Sequence, residues 1–143
     1  MTLVELILSI VVIGVGLAGV LVAFNQAVFH SADPMVRKQM LAIAEEMVDE
    51  ISLKPFAATP NIAPVGYARN TFNDVADYNG YAPPAGIYDI DGAAIPSLST
   101  YNVSVAATAS ALPNGVAALR IAVTVAHGTD TLTLVGYRTG WAT

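Results

Sequence analysis

The stretch Leu6-Ile7-Leu8-Ser9-Ile10-Val11-Val12-Ile13-Gly14-Val15-Gly16-Leu17-Ala18-Gly19-Val20-Leu21-Val22-Ala23-Phe24 holds one polar side chain, Ser9, and no charge. No charged residue follows until after Phe29. Nineteen residues in a helix span about 28 Å at ~1.5 Å per residue, close to the hydrocarbon thickness of a bilayer. The only charge upstream is Glu5. A secretory signal would place Lys or Arg before a shorter apolar core, so this segment reads as one that is kept.

Working outward, polarity returns at Asn25, Gln26 and His30, and Ser31-Ala32-Asp33-Pro34 combines cap-forming residues with a proline suited to a first helical turn. A kink or a restart of the helix is expected there. Val36, Met40, Ile43, Met47 and Ile51 then advance by four, three, four and four, the period of an amphipathic helix. Together the two halves predict a helical spine of roughly 50 residues, about 75 Å long, half of which should protrude from any small globule. Glu45/Asp49 and Glu46/Glu50 are like charges one turn apart. Either a basic partner faces them or they form a solvated acidic face.

Lys54-Pro55-Phe56 ends the helix, and residues 57–99 are rich in Pro, Asn, Asp, Gly and Tyr with little periodicity. A connection of this length predicts an interaction surface. After it, Tyr101, Val103 and Val105 alternate with Asn102 and Ser104, and Leu119, Ile121, Val123 and Val125 alternate with Arg120, Ala122, Thr124 and Ala126. Leu132 and Leu134 continue a third run, with turn signals at Pro113-Asn114-Gly115 and Gly128-Thr129-Asp130. The expected fold class is α+β: a long N-terminal helix packed on a C-terminal antiparallel sheet. Its organisation is a hydrophobic helix over 1–30, an amphipathic helix over 31–54, a loop region over 55–99 and a sheet over 100–143.

Composition narrows the function. Of 143 residues, 55% are hydrophobic and 12% charged, against about 25% charged in an average soluble domain. The net charge of −5 leaves no basic face for nucleic-acid phosphates. With no cysteine, disulfides and thiol chemistry are absent. His30 and His127 lack the i+4 partner of a helical metal site. Ser97, Ser99 and Thr100 have no nucleophile-elbow motif or suitably placed His beside them, so no catalytic residue, cofactor or metal is expected. Asp74, Asp77, Asn79, Asp89 and Asp91 make an oxygen-rich set without the spacing of a calcium loop, and read as turn caps. Tyr67, Tyr78, Tyr81 and Tyr88 suit subunit packing or surface adhesion.

Met1-Thr2-Leu3-Val4-Glu5-Leu6 followed by the apolar run resembles the mature N-terminus of type IV pilins and pseudopilins. In that family an N-methylated hydrophobic residue, usually Phe and sometimes Met, stands first, Thr-Leu commonly follows, and a glutamate holds the position of Glu5. A second likeness, to minor pilins of the mannose-sensitive haemagglutinin type, is carried by Ala32-Asp33-Pro34-Met35, by Gln39-Met40-Leu41-Ala42-Ile43-Ala44-Glu45 and by Glu50-Ile51-Ser52-Leu53-Lys54-Pro55-Phe56. Asn73-Asp74-Val75-Ala76-Asp77-Tyr78-Asn79-Gly80-Tyr81 adds to it. The resemblance implies that Met1 is a terminus exposed and methylated by a prepilin peptidase, although by itself the residue is also consistent with an initiator methionine.

It further implies a homopolymer of identical subunits, held in the inner membrane before the pilus assembly machinery extracts it into an extracellular filament. There Glu5 pairs with the α-amine of Met1 on a neighbouring copy. Such a pair sets register more than stability. Gly14, Gly16 and Gly19 place three weak helix formers within six residues, where the helix melts in a filament or packs closely. The bracing disulfide of many pilins has no counterpart. A type II secretion pseudopilin, or an anchored binding module that never polymerises, are the competing readings.

Overall fold

A computed structural model of the chain describes residues 2–57 and 66–140, and the side chains of residues 2–22, 34–57 and 66–140. The chain forms two compact units, Met1–Val36 and Arg37–Thr143. One helix, α1 (Leu3–Ser52), contributes to both. It runs through Pro34, so the restart expected at Ser31–Pro34 does not occur. Proline forfeits one backbone hydrogen bond and crowds the preceding turn, a penalty of about 3 kcal/mol.

In the first unit, Leu3–Val22 is a 20-residue apolar helix with none of its side chains buried, long enough to cross a membrane. In the second, the C-terminal turns of α1 bury Met40, Ala44, Met47 and Ile51 completely or nearly so. Ile43, expected in that stripe, is half-buried at its margin, and Ala44 takes the central place.

Three strands, β1 (Tyr101–Ala111), β2 (Ala117–His127) and β3 (Asp130–Thr139), form an antiparallel sheet in the order β1-β2-β3. The α+β class read from the sequence is the one observed. Val103 pairs with Val125, Val105 with Val123, and Val123 with Leu134, which fixes one face as apolar. Gly128, at φ +59°, makes the tight β2–β3 turn, and Gly115, at φ +77°, the longer β1–β2 turn. The helix lies over this apolar face. Tyr101 Oη donates to Gln39 Oε1 at 3.0 Å, and Val48 sits so close to Gly136 that a Cβ there would meet its Cγ1 at 3.4 Å.

The segment expected to be loop contains three short 3₁₀ turns, Arg69–Thr71, Val75–Tyr78 and Pro96–Leu98. It closes the free edge of β1: Gly80 N donates to Val105 O at 3.0 Å, and Val105 N to Tyr81 O at 2.9 Å. Asn79 Oδ1 accepts from Ala107 N at 3.1 Å.

Candidate functional site

The start of α1 carries the residues that the sequence singles out. Leu6 N donates to Thr2 O at 3.2 Å, closing the first turn. Thr2 N donates to Glu5 Oε2 at 3.4 Å, and Glu5 N donates to Thr2 Oγ1 at 3.4 Å. This reciprocal pair is a capping box, in which two amides that a helix start leaves unsatisfied find side-chain acceptors. The pattern Thr2-x-x-Glu5 before an apolar run is its sequence signature. It gives Glu5 a role within its own helix that reading the glutamate as an intersubunit group had passed over. Glu5 also lies in the first turn, where the helix dipole favours an anion. Both bonds are long and exposed, so the carboxylate stays open to another partner. Ser9 Oγ donates to Glu5 O at 2.8 Å, which removes the one other polar group of the run from competition.

Beyond this cap the helix presents a continuous apolar surface, with Leu3, Leu8, Ile10, Ile13, Val15 and Leu21 among its exposed side chains. Gly14, Gly16 and Gly19 are helical here, and a Cβ added at any of them would meet nothing within 4 Å. Nothing described inside the chain therefore requires their smallness. Met1 lies outside the described residues. By length and composition this helix is a candidate membrane anchor or signal sequence.

A second cluster holds the loop region to the helix. Arg69 Nε donates to Glu50 Oε1 and Oε2 at 2.9 and 3.1 Å, while Nη1 donates to Tyr81 Oη at 3.0 Å, Tyr88 O at 2.8 Å and Asp89 O at 3.2 Å. Tyr78 Oη donates to Glu50 Oε1 at 2.8 Å. The acidic pair Glu46/Glu50 thus meets a basic partner from its own chain, at Glu50. Burial works against the charged guanidinium, but the bonds and charge attraction from Glu50 and Tyr81 prevail and hold the Arg69 pKa above its ordinary value. Burial first, then the bond to Glu50, pushes the Tyr78 phenol well above its usual range. Burial likewise raises Tyr81, with Arg69 opposing.

The four loop tyrosines go largely to this internal packing. Tyr78 and Tyr81 are buried, Phe72 meets Tyr78 edge-on at 4.8 Å, and Tyr67 lies 5.6 Å from Tyr88. Tyr67 and Tyr88 keep part of their surface exposed.

Asp74, Asp77 and Asp89 each give one carboxylate oxygen to a turn, while Asp74 Oδ2 and Asp77 Oδ1 are buried without a hydrogen-bond partner. Asp74 Oδ1 accepts from Ala76 N and Asp77 N, and Asp77 Oδ2 from Asn73 N and Asp74 N, another capping box. Asp89 Oδ1 accepts from Asp91 N and Ala93 N at 3.1 and 2.8 Å. Among the described residues no group of three or more His, Asp or Glu is placed to hold a metal ion. His127 stacks beside Tyr101 at 4.6 Å.

Comparison with protein-family models, with curated proteins and with solved structures returned no match to this chain.

Proposed function

We propose that this chain is a type IV pilin-like structural subunit with no catalytic role. Leu3–Val22 holds it in the inner membrane, and the assembly machinery then adds it to a homopolymeric extracellular filament that serves adhesion or motility. What supports the reading is the exposed apolar helix with Thr2 and Glu5 at its start, joined to an α+β domain whose helix covers a three-stranded sheet. The resemblance at the N-terminus implies the same order of long helix, loop and antiparallel sheet. Out of lipid, such helices avoid water only by bundling, at about 25 cal/mol per Å² of apolar surface covered. Glu5 leaves its weak cap and pairs with the α-amine of Met1 on the next copy, at the one axial stagger where both charges are satisfied. A head-to-tail contact that does not close then grows into a helical polymer. Gly14, Gly16 and Gly19, helical in the free subunit, are where the helix extends on assembly.

The test is to shear surface fibres from producing cells and sequence the N-terminal peptide by mass spectrometry, for wild type, Glu5→Ala and Glu5→Gln. The reading expects methylated Met1 in wild-type fibres. It expects loss of fibres in both variants, including Gln, which keeps a hydrogen-bond acceptor at the cap and loses only the charge. Wild-type protein confined to the membrane fraction would return the choice to a pseudopilin or an anchored module. Fibres made in full by Glu5→Ala would remove the register role of Glu5.

A further inference from the structure

A cleft of about 290 Å³ opens between α1 and the loop region, with Ile43, Met47 and Glu50 on the helix side and residues 87–98 across from them. The loop wall is a small hairpin. Asp89 N donates to Ala93 O at 2.8 Å, Ile95 N donates to Ile87 O at 2.8 Å, and Gly92 N closes the turn onto Asp89 O at 3.2 Å. Arg69, bonded to Glu50 and to the carbonyls of Tyr88 and Asp89, fastens that hairpin to the helix. Both walls are therefore held by bonds within the chain and need no ligand to form. Met47 and Ile87 are buried, and Ile43, Ile95 and Leu98 are half-buried, so the lining is mostly aliphatic.

The charges around this lining do not balance. Glu46, Glu50 and Asp89 line the cleft, and of the six Lys and Arg residues only Arg69 joins them. Arg69 is already paired with Glu50. Asp89 Oδ1 accepts from Asp91 N and Ala93 N, which leaves its second oxygen over. Among the described residues neither Glu46 nor Asp89 Oδ2 has a cation or a hydrogen-bond donor. An anion would be repelled by these carboxylates, and a neutral apolar molecule would cover them without giving them a partner. A metal ion finds no group of three ligating His, Asp or Glu side chains among the described residues. An ammonium on an aliphatic stem satisfies both halves of the lining. Tyr88, half-buried there, adds an aromatic ring, a surface that attracts cations.

We infer that this cleft binds a small aliphatic primary amine, its ammonium held by the unpaired carboxylates Glu46 and Asp89 and its hydrocarbon stem lying against Met47, Ile87 and Leu98. Small-molecule sites run from about 300 to 1,000 Å³, and this cleft stands at the small end, which suits a ligand of a few heavy atoms and not a segment of another protein. The site lies wholly within the Arg37–Thr143 unit. It is therefore independent of whether the chain polymerises.

The probe is pentylammonium chloride, titrated into the full chain in detergent micelles and followed by NMR of isotope-labelled methionine methyl groups. Met47 lies in the cleft, Met40 is buried outside it and Met35 is exposed. One spectrum thus reports the site, the core and the micelle separately. The expected result is a saturable shift of Met47, with Met40 and Met35 unmoved. Pentanol, which has the same stem and no charge, should bind about tenfold more weakly, and Glu46→Gln should weaken pentylammonium by a similar factor, the worth of a hydrogen bond to a charged group. An unchanged Met40 signal shows that the variant is folded. Added salt gives a second measure on the unaltered chain, lowering the affinity for pentylammonium and not for pentanol. An unmoved Met47, equal binding of pentanol, full affinity in Glu46→Gln, indifference to salt, or a Met35 shift that matches Met47 and marks entry into the micelle would each overturn the inference.

Discussion

Replacing Arg69 by Met should be among the most damaging single changes in the Arg37–Thr143 unit. The guanidinium is 9% exposed and makes five hydrogen bonds, two of them to a carboxylate that is 23% exposed. Removing one partner of a buried pair typically costs about 3–5 kcal/mol, because the other charge is left uncompensated. Glu50 keeps some solvent and the 2.8 Å bond from Tyr78, which places the expected loss near the lower end, about 3 kcal/mol. For a unit of this size that corresponds to a fall in melting temperature on the order of 10 °C or more.

The assay is a thermal melt of the full chain in detergent micelles, followed by the near-ultraviolet circular dichroism of the tyrosines. That signal reports the packed aromatic cluster and not the exposed helix. A second variant sharpens the result: Arg69→Met with Glu50→Leu removes both charges and should recover much of the lost stability. A shift of only a few degrees in the single variant, or no recovery in the double, would refute the view that an ion pair holds the loop to the helix.

The tyrosines set an alkaline limit. Tyr78 and Tyr81 are held above the ordinary value of 10.0, so above pH 10 the unfolded chain sheds phenolic protons that the folded chain retains, and stability falls as pH rises. The urea midpoint should be unaffected by these groups below pH 10 and drop above it, with a shallower drop in Tyr78→Phe; equal slopes would contradict this. Gly92→Ala should destabilise more than Gly115→Ala. Both glycines have positive φ, but a Cβ at Gly92 would meet Ala68 N at 3.0 Å and Ala68 Cα at 3.1 Å, whereas Gly115 has open space. Comparable melting temperatures for the two variants would count against close approach at Gly92. Chelator should leave the melt of the full chain unchanged, because among the described residues no group of three or more His, Asp or Glu is placed to hold a metal ion; a lower melting temperature would revive a bound metal.

Periodicity made the helix, the three strands and both turns legible, since each depends on residues a few positions apart. The run of alternating residues from Leu119 to Val125 can bury one face in only one register. Of the kink or restart expected at Pro34 the restart does not occur, because a local breaker signal says nothing about the helix around it. The Arg69 cluster was hidden for a different reason. Its partners Glu50, Tyr81 and Tyr88 lie 19, 12 and 19 positions away, and no short pattern marks a contact made across that distance. The acidic repeat Glu46/Glu50 was compatible with either a basic partner or a solvated face, and the sequence did not choose between them. Thr2-x-x-Glu5 and Asp74-x-x-Asp77 were readable as capping boxes from sequence alone. Glu5 drew attention instead as a charge beside a lipid-length run, and its bond to its own helix was passed over.

Arg69 also decides how this domain responds to its surroundings. One side chain ties the helix, the aromatic cluster and the Tyr88–Asp89 backbone together in a chain that has no cysteine. Closure of the loop therefore needs no oxidant, survives thiol reductants, and can be undone and remade without scrambled intermediates. The corresponding weakness is that a non-covalent tie leaves the unfolded chain unrestrained, so the full entropy of closing both loops is met afresh at every refolding. Reversible folding in any redox environment and sensitivity to a single substitution are two sides of the same rivet.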